Sequence, residues 1–409
     1  MGQESQRGHA MRVVLSHRIA LVPTAAQEVL LRQAVGVSRF AFNWALAEWQ
    51  RQYRAGEKPN EAALRRQLNS IKRQQFPWML LVPKSVPQQA IKNCGAAFQR
   101  FFKKQGGYPK FKKKAVRDSA RLDNGPGTFK FDGKRVRLPV IGWVKLREEL
   151  RFSGTALSAT VRRVADRWFV CVPVEVELPD PACENQAAVG IDLGVSTAAT
   201  LSSGEKLHGP NALEAHLERL QRLSRWHSRK HKGSNNRRKS TIRLARLHAR
   251  ISNIRQDWLH QTTTLVVREF SVIGIEDLNV RGMMANRKLA RKIGDIGFYE
   301  FRRQLGYKTE LNGAELVIAS RWFPSSKMCS VCGRIREDLP LSAREWTCEC
   351  GAVHDREINA AKNLCCYAVD RVSWTRINAC GEEGSGAGLA ASVKPASLKQ
   401  ESAHVLGMD

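Results

Sequence analysis

Ala187-Ala188-Val189-Gly190-Ile191-Asp192-Leu193-Gly194 is an apolar run that closes on a carboxylate and a glycine. A continuous apolar run of this length reads as a strand buried on both faces. Thr197 to Leu201 and Glu205 to His208, around Ser203-Gly204, follow as a hairpin. Farther along, Val272 to Ile275 forms another buried-type strand with Glu276 at its end, Leu316 to Ala319 forms a further one, and a final helix opens at Glu357. Ala360, Ala361 and Leu364 supply the face on which that helix packs.

Strand, hairpin, helices, strand, helix, strand, helix is the order of an RNase H-like fold. Asp192 then lies on the first, central strand, and Asp192, Glu276 and Glu357 are expected at one rim of the sheet. Several carboxylates converging from strand ends and one helix are what a pair of Mg²⁺ or Mn²⁺ ions requires to hydrolyse a phosphodiester. Asp355, two residues before Glu357, is a weaker candidate because a helix would point it elsewhere.

Upstream, Arg12 to Val22 is strand-like, and Thr24-x-x-Gln27 is a capping box ahead of an apolar-periodic stretch to about Tyr53. Helical patterns recur from Glu61 to Gln75 and from Val86 to Lys104. Val136 to Val140, Ser158 to Val164 and Trp168 to Val176 read as strands, with Ala165-Asp166-Arg167 as a turn. Together with the first strand they are expected to close a small β-barrel around an inserted helical lobe, ending near Asp180-Pro181.

A formal charge of +29, from 67 Lys+Arg against 38 Asp+Glu, demands a polyanionic partner. The cations cluster. Phe98, Phe101, Phe102, Tyr108 and Phe111 interleave with Lys103, Lys104, Lys110, Lys112, Lys113 and Lys114, a pattern suited to stacking on bases and holding phosphates; the helical spacing of the first three phenylalanines also suits core residues. Residues 219–255 hold thirteen Lys or Arg and no acid, including Arg229, Lys230, Arg237, Arg238, Lys239 and Arg246. Leu247, Ile251, Ile254 and Trp258 give that segment one packed helical face, leaving the cations for phosphate contact.

Cys329-x-x-Cys332 and Cys348-x-Cys350 have the spacing of two knuckles around one structural Zn²⁺, with His354 as an alternative ligand. The remaining cysteines lack such spacing and read as ordinary thiols. No apolar run is long enough to span a membrane, and Met1 to Ala10 lacks the apolar core of a signal peptide, so a cytoplasmic protein with a flexible leader is expected. The glycine- and serine-rich residues from 380 to 409 read as a disordered tail.

Taken jointly, Gly190-Ile191-Asp192-Leu193-Gly194, Arg246-Leu247-His248 with Asn253-Ile254-Arg255, Ile275-Glu276-Asp277-Leu278-Asn279-Val280-Arg281-Gly282-Met283 and the segment Cys329 to Asn363 resemble TnpB, the OrfB-type insertion-sequence proteins related to type V CRISPR effectors. The resemblance implies an RNA-guided, transposon-encoded DNA endonuclease. A guide RNA from the transposon end is held by the barrel, the helical lobe and a RuvC-like domain, double-stranded target DNA is cut at the RuvC site, and a separate transposase performs strand transfer. It implies α/β and α+β domains: a barrel over 11–23 and 125–180, a helical lobe over 24–124, a RuvC-like domain over 187–322 and 354–372, and a zinc ribbon over 323–353. Asp192, Glu276 and Glu357 match the three acids of the family, whose third is usually Asp. Two other classes stay open: a cleavage-deficient RNA-guided repressor, and a DNA-binding transposase component without guide RNA.

Overall fold

The computed structural model describes residues 10–114, 118–123, 128–181, 183, 185–340 and 342–380. Apart from Ala10 and Cys380, the leader at 1–10 and the tail at 380–409 lie outside the described residues.

The front half begins with β1 (Ala10–Val22) and three helices, α1 (Ala25–Arg54), α2 (Glu61–Gln75) and α3 (Ser85–Phe102). Thr24 and Gln27 form the expected capping box, each satisfying the other's backbone amide. Seven short and long strands follow: β2 (Ser119–Asp123), β3 (Lys130–Asp132), β4 (Arg135–Leu138), β5 (Gly142–Leu146), β6 (Thr155–Ala156), β7 (Ser158–Val164) and β8 (Arg167–Pro179). On β8 every second residue from Trp168 to Val176 is buried, as the period of a strand with one wet face dictates.

The expected barrel does not close. The sheet runs β2-β7-β8-β1-β5-β4-β3, with β6 also on β8, and among the described residues its end strands β2 and β3 do not pair. β1, inside the sheet, is shared unevenly between its two neighbours. It pairs with β8 antiparallel from Ala10↔Pro179 to Leu21↔Trp168, but gives only Leu21 and Val22 to β5. The sheet and the three helices share one core, in which Ile19, Leu31, Leu46, Leu64, Ile91 and Val170 are all buried.

The back half is built on a five-stranded sheet of order β11-β10-β9-β12-β13. Its members are β9 (Ala188–Asp192), β10 (Ala199–Leu201), β11 (Lys206–Leu207), β12 (Val272–Glu276) and β13 (Glu315–Ala319). Between β11 and β12 stand α4 (Leu217–Ser228) and the 35-residue α5 (Asn235–Glu269). The short α6 (Val280–Met283), α7 (Ala290–Ile296) and α8 (Phe298–Asn312) precede β13. The hairpin β14 (Glu345–Thr347) and β15 (Val353–Asp355) leads into α9 (Arg356–Cys380). β9 is central and parallel to β12, as the strand order requires.

Two glycines let α9 settle on this sheet. A Cβ at Gly190 would lie 1.9 Å from the Ala361 carbonyl oxygen, and one at Gly274 would lie 2.3 Å from that of Leu364. Only glycine permits so close an approach of helix to strand. Ala360, Ala361, Leu364 and Ala368 are fully buried beneath, the packing face that the sequence marks.

Candidate active site and nucleic-acid interface

The parallel register runs Val272↔Ala188 to Ile275↔Ile191, so the next residue on each strand is an acid, Asp192 on β9 and Glu276 on β12. Neighbouring strands lie about 4.8 Å apart. Glu357 reaches the same rim from the first turn of α9. Thr200, the cross-strand partner of Asp192, donates its hydroxyl to Glu357 Oε2 at 3.2 Å. The structure thus gathers three acids whose first and last members, Asp192 and Glu357, stand 165 residues apart in sequence.

The crowding of charge is visible in the proton affinity of Asp192. Burial, then the charges of Glu276 and Glu357, push the Asp192 carboxyl up to about 7. Burial and the adjacent Asp277 also raise Glu276. A buried cluster of like charges is costly unless a proton or a cation neutralises it.

Four neighbours that the sequence did not single out shape the rim. Arg344 Nη1 lies 3.2 Å from Glu357 Oε1. Asp277 is held by Arg302 and by Arg321, the latter at 2.7 Å, and these bonds lower its proton affinity. Lys206 pairs with Asp355 at 2.7 Å. Asp355 also accepts the backbone amides of Glu357 at 2.9 Å and Ile358 at 3.1 Å, which makes it the N-cap of α9, and its charge adds a smaller contribution to those that raise Asp192. The spacing Asp-x-Glu was the available signal, since a cap two residues ahead of a first-turn acid is an ordinary helix start.

Cys329, Cys332, Cys348 and Cys350 converge, with all four Sγ atoms within 4.8 Å of one another. Cys329 to Cys350 is 3.7 Å and Cys332 to Cys348 is 3.6 Å. Tetrahedral Zn–S bonds of about 2.3 Å place sulfurs about 3.8 Å apart, so the four thiols fit the ion. His354 Nε2 sits 3.0 Å from Cys329 Sγ, a hydrogen-bond distance that makes it a supporting partner outside the four-sulfur set. Burial raises the Cys329 thiol, but amides of Cys332 and Val331 and the His354 contact outweigh it and bring the thiol down to about 6.

The first knuckle is moored to α9. Buried Asn359 accepts from Ser330 N at 2.9 Å and donates to Met328 O at 2.7 Å, while buried Asn363 donates to Ser325 O at 2.7 Å. The Glu357-x-Asn359-Ala360-Ala361-x-Asn363 pattern therefore carries an acid, two moorings and a packing face on one helix.

The basic candidates divide. Lys103, Lys104, Lys110, Lys113 and Lys114 are exposed, but the Lys112 ammonium lies over the Phe42 ring at 4.1 Å and burial lowers its proton affinity. Phe98 is core, stacked on Trp49 at 4.2 Å, whereas Phe102, Tyr108 and Phe111 are exposed. On the α4–α5 hairpin, Arg229, Arg238 and Lys239 face solvent and Lys230 lies over Trp226 at 4.4 Å. Arg237 is spent on the carbonyls of His227 and Lys230, and Arg246 is paired with Asp166 in the β7–β8 turn.

Residues 171–287 match the IS605 OrfB family described as "Probable transposase", residues 298–364 match the Cas12f1-like TNB domain, and residues 11–58 match the OrfB helix-turn-helix domain, although here they fold as a strand and one long helix. The chain is 40% identical over 352 residues to a "Putative RNA-guided DNA endonuclease" of Streptomyces pristinaespiralis, covering 84% of this chain and 86% of that protein. It is 31% identical over 416 residues to "Putative RNA-guided DNA endonuclease InsQ" of Escherichia coli K12, covering 97% and 99%. Its fold is similar to a chain in a cryo-EM structure of a Cas12f1-sgRNA-target DNA complex, with a TM-score of 0.55 at 11% identity over 87% of this chain and 98% of that one. By identity over nearly its whole length, the chain belongs to the TnpB family of IS605 OrfB proteins.

Proposed function

We propose that this protein is an RNA-guided DNA endonuclease of transposon origin that cuts target DNA at Asp192, Glu276 and Glu357. One observation carries the proposal: two strand-end acids side by side on β9 and β12 face a third on α9, and burial, then the charges of the other two, push the Asp192 carboxyl up to about 7. Such a cluster needs cations. Among the described residues only the four cysteines bring their ligand atoms within 4.8 Å of one another; the three acids would share two ions about 4 Å apart. When bound, Mg²⁺ or Mn²⁺ would activate water and stabilise the leaving oxygen. The chain's own part is to hold the three carboxylates in register, with Thr200 donating to the Glu357 carboxylate. The cysteine cluster would hold a structural Zn²⁺, since four thiolates leave no open position for substrate.

The net charge of +29 supports a guide RNA and target DNA as partners, because sequence choice by base pairing asks only backbone contact of the protein. The sheet β9–β13 with α9 packed on it, and the cysteine cluster lying between β13 and α9 in the chain, support a division with 187–322 and 354–372 as the nuclease domain and 323–353 as its inserted ribbon. The test is to purify the protein with its locus, sequence the bound RNA, and add matched duplex DNA with Mg²⁺. Cleavage by the wild type and binding without cleavage by Asp192→Ala are expected; cutting by that variant would overturn the assignment. A second class, a guided binder that does not cut, draws on Glu357 standing where aspartate is usual and on its ion pair with Arg344. Binding with no cutting by the wild type would select it.

A further inference from the structure

Beside Glu276 a cavity of about 240 Å³ opens to solvent, bounded by Leu193, Phe298, Tyr299, Arg281, Arg302 and Arg321. Gly297, at φ +83°, ends α7 and starts α8, and the two consecutive aromatics that follow point about 100° apart, as successive residues on a helix do. Phe298 enters the core at 1% exposure; Tyr299 stands out at 70%. Among the described residues the Tyr299 ring meets no other aromatic ring and no cation over its face.

The rest of the wall is cationic and braced. Asp277 holds Arg302 and Arg321 through one carboxylate oxygen each, which leaves further guanidinium N–H groups of both arginines for another acceptor. Arg281 is exposed at the mouth. An open aromatic face, three guanidinium groups and a boundary shared with an acid of the cleavage site select one ligand chemistry: a flat heterocycle joined to a phosphodiester. The cavity lies below the ~300–1,000 Å³ of a drug-sized site, the scale of one base rather than of a pair.

We propose that this cavity seats one unpaired nucleotide of the DNA strand next to the phosphate being cut, with Tyr299 stacking on its base and Arg281, Arg302 and Arg321 facing its phosphate. Tyr299 is then a substrate-positioning residue, since stacking holds the strand across the acids without touching the reacting atoms. The proposal rests on the nuclease assignment above.

The test uses the full protein with its guide RNA and a matched DNA target. In single-turnover cleavage with Mg²⁺, Tyr299→Ala is expected to slow cutting about tenfold, Tyr299→Phe to restore it, and an abasic nucleotide beside the cut to slow the wild type about tenfold while costing Tyr299→Ala nothing more. Trp322→Ala, at an 85% exposed aromatic outside the cavity, should leave the abasic effect intact. Independent, multiplying effects of Tyr299→Ala and the abasic site would overturn the proposal, as would full speed in Tyr299→Ala. A second readout needs no cleavage. In an Asp192→Ala background, 2-aminopurine scanned along the displaced strand should be quenched at one nucleotide, and Tyr299→Ala should relieve the quenching. No quenched position, or quenching that survives Tyr299→Ala, sinks the proposal even if the nuclease assignment stands; a wild type that never cuts but shows the Tyr299-dependent quenching sinks the nuclease assignment alone.

Discussion

Gly190 on β9 and Ala361 on α9 meet backbone to backbone, so that a methyl group on Gly190 would lie 1.9 Å from the Ala361 carbonyl. Gly274 and Leu364 repeat the contact one strand over. These contacts set the height of α9 above the sheet, and with it the place of Glu357. Gly190→Ala is expected to destabilise the nuclease half by roughly 3 kcal/mol and to depress cleavage more than that loss of folded protein explains, measured by urea unfolding beside rates on the folded fraction. Unchanged stability would contradict the contact.

Asp192 gives a pH dependence of known sign. Its proton affinity is raised in the folded state, so folding is unpenalised below the ordinary carboxylate range, and the penalty grows as pH climbs to about 7. Metal-free Asp192→Asn should therefore melt higher than the wild type at pH 8, with the gap closing toward pH 4. Mg²⁺ should raise the melting temperature of the wild type and not of the variant. Equal melting at pH 8 would remove the buried-charge account.

Glu357 is adjusted to its own length. Its two carboxylate oxygens meet Thr200 and Arg344 at 3.2 Å each. Glu357→Asp, which shortens the arm, is expected to cut about tenfold more slowly, and Glu357→Gln at least a hundredfold more slowly, in single-turnover assays with saturating Mg²⁺. Faster cutting by the aspartate variant would mean that the helix has not compensated for the longer side chain.

About one zinc per chain is expected by elemental analysis, falling to none in Cys332→Ser with Cys350→Ser. Because Asn359 and Asn363 tie the first knuckle to the helix that bears Glu357, zinc loss should lower cleavage about tenfold or more while the two sheets keep their far-ultraviolet signature. Asn359→Ala should cost about 1–3 kcal/mol by stranding Ser330 N and Met328 O. Full activity of the zinc-free protein would separate ribbon from site.

The exposed cations of α5 should act through phosphates alone. Arg238→Glu with Lys239→Glu is expected to weaken guide-RNA binding and to reduce the slope of log affinity against log salt by about 2. Arg237→Glu, in contrast, breaks the cap on α4 and should lower stability as well.

Much of the site was legible in the sequence because it depends on strand ends and short spacings. Gly-Ile-Asp and Gly-Ile-Glu state the same rule twice: acid at the rim, glycine two residues back where the helix lands. The cysteine spacing gave the four-sulfur cluster. The contributions of Arg344, Thr200 and Lys206 were not legible, since each arrives from an element whose placement depends on tertiary packing. The open sheet was hidden for a similar reason: closure is decided by whether the end strands β2 and β3 meet, and strand propensity does not encode that pairing. Lys112 looked like its neighbours until Phe42 was found beneath it.

Since β1 and β8 hold each other along twelve residue pairs, from Ala10↔Pro179 to Leu21↔Trp168, the two ends of the front half are stitched together while everything else in it is looped between them. Anyone trimming this protein to a smaller tool is left with an all-or-nothing cut: either the block from 10 to 179 is kept whole, or a bare, thirteen-residue sticky edge is released to seek other chains.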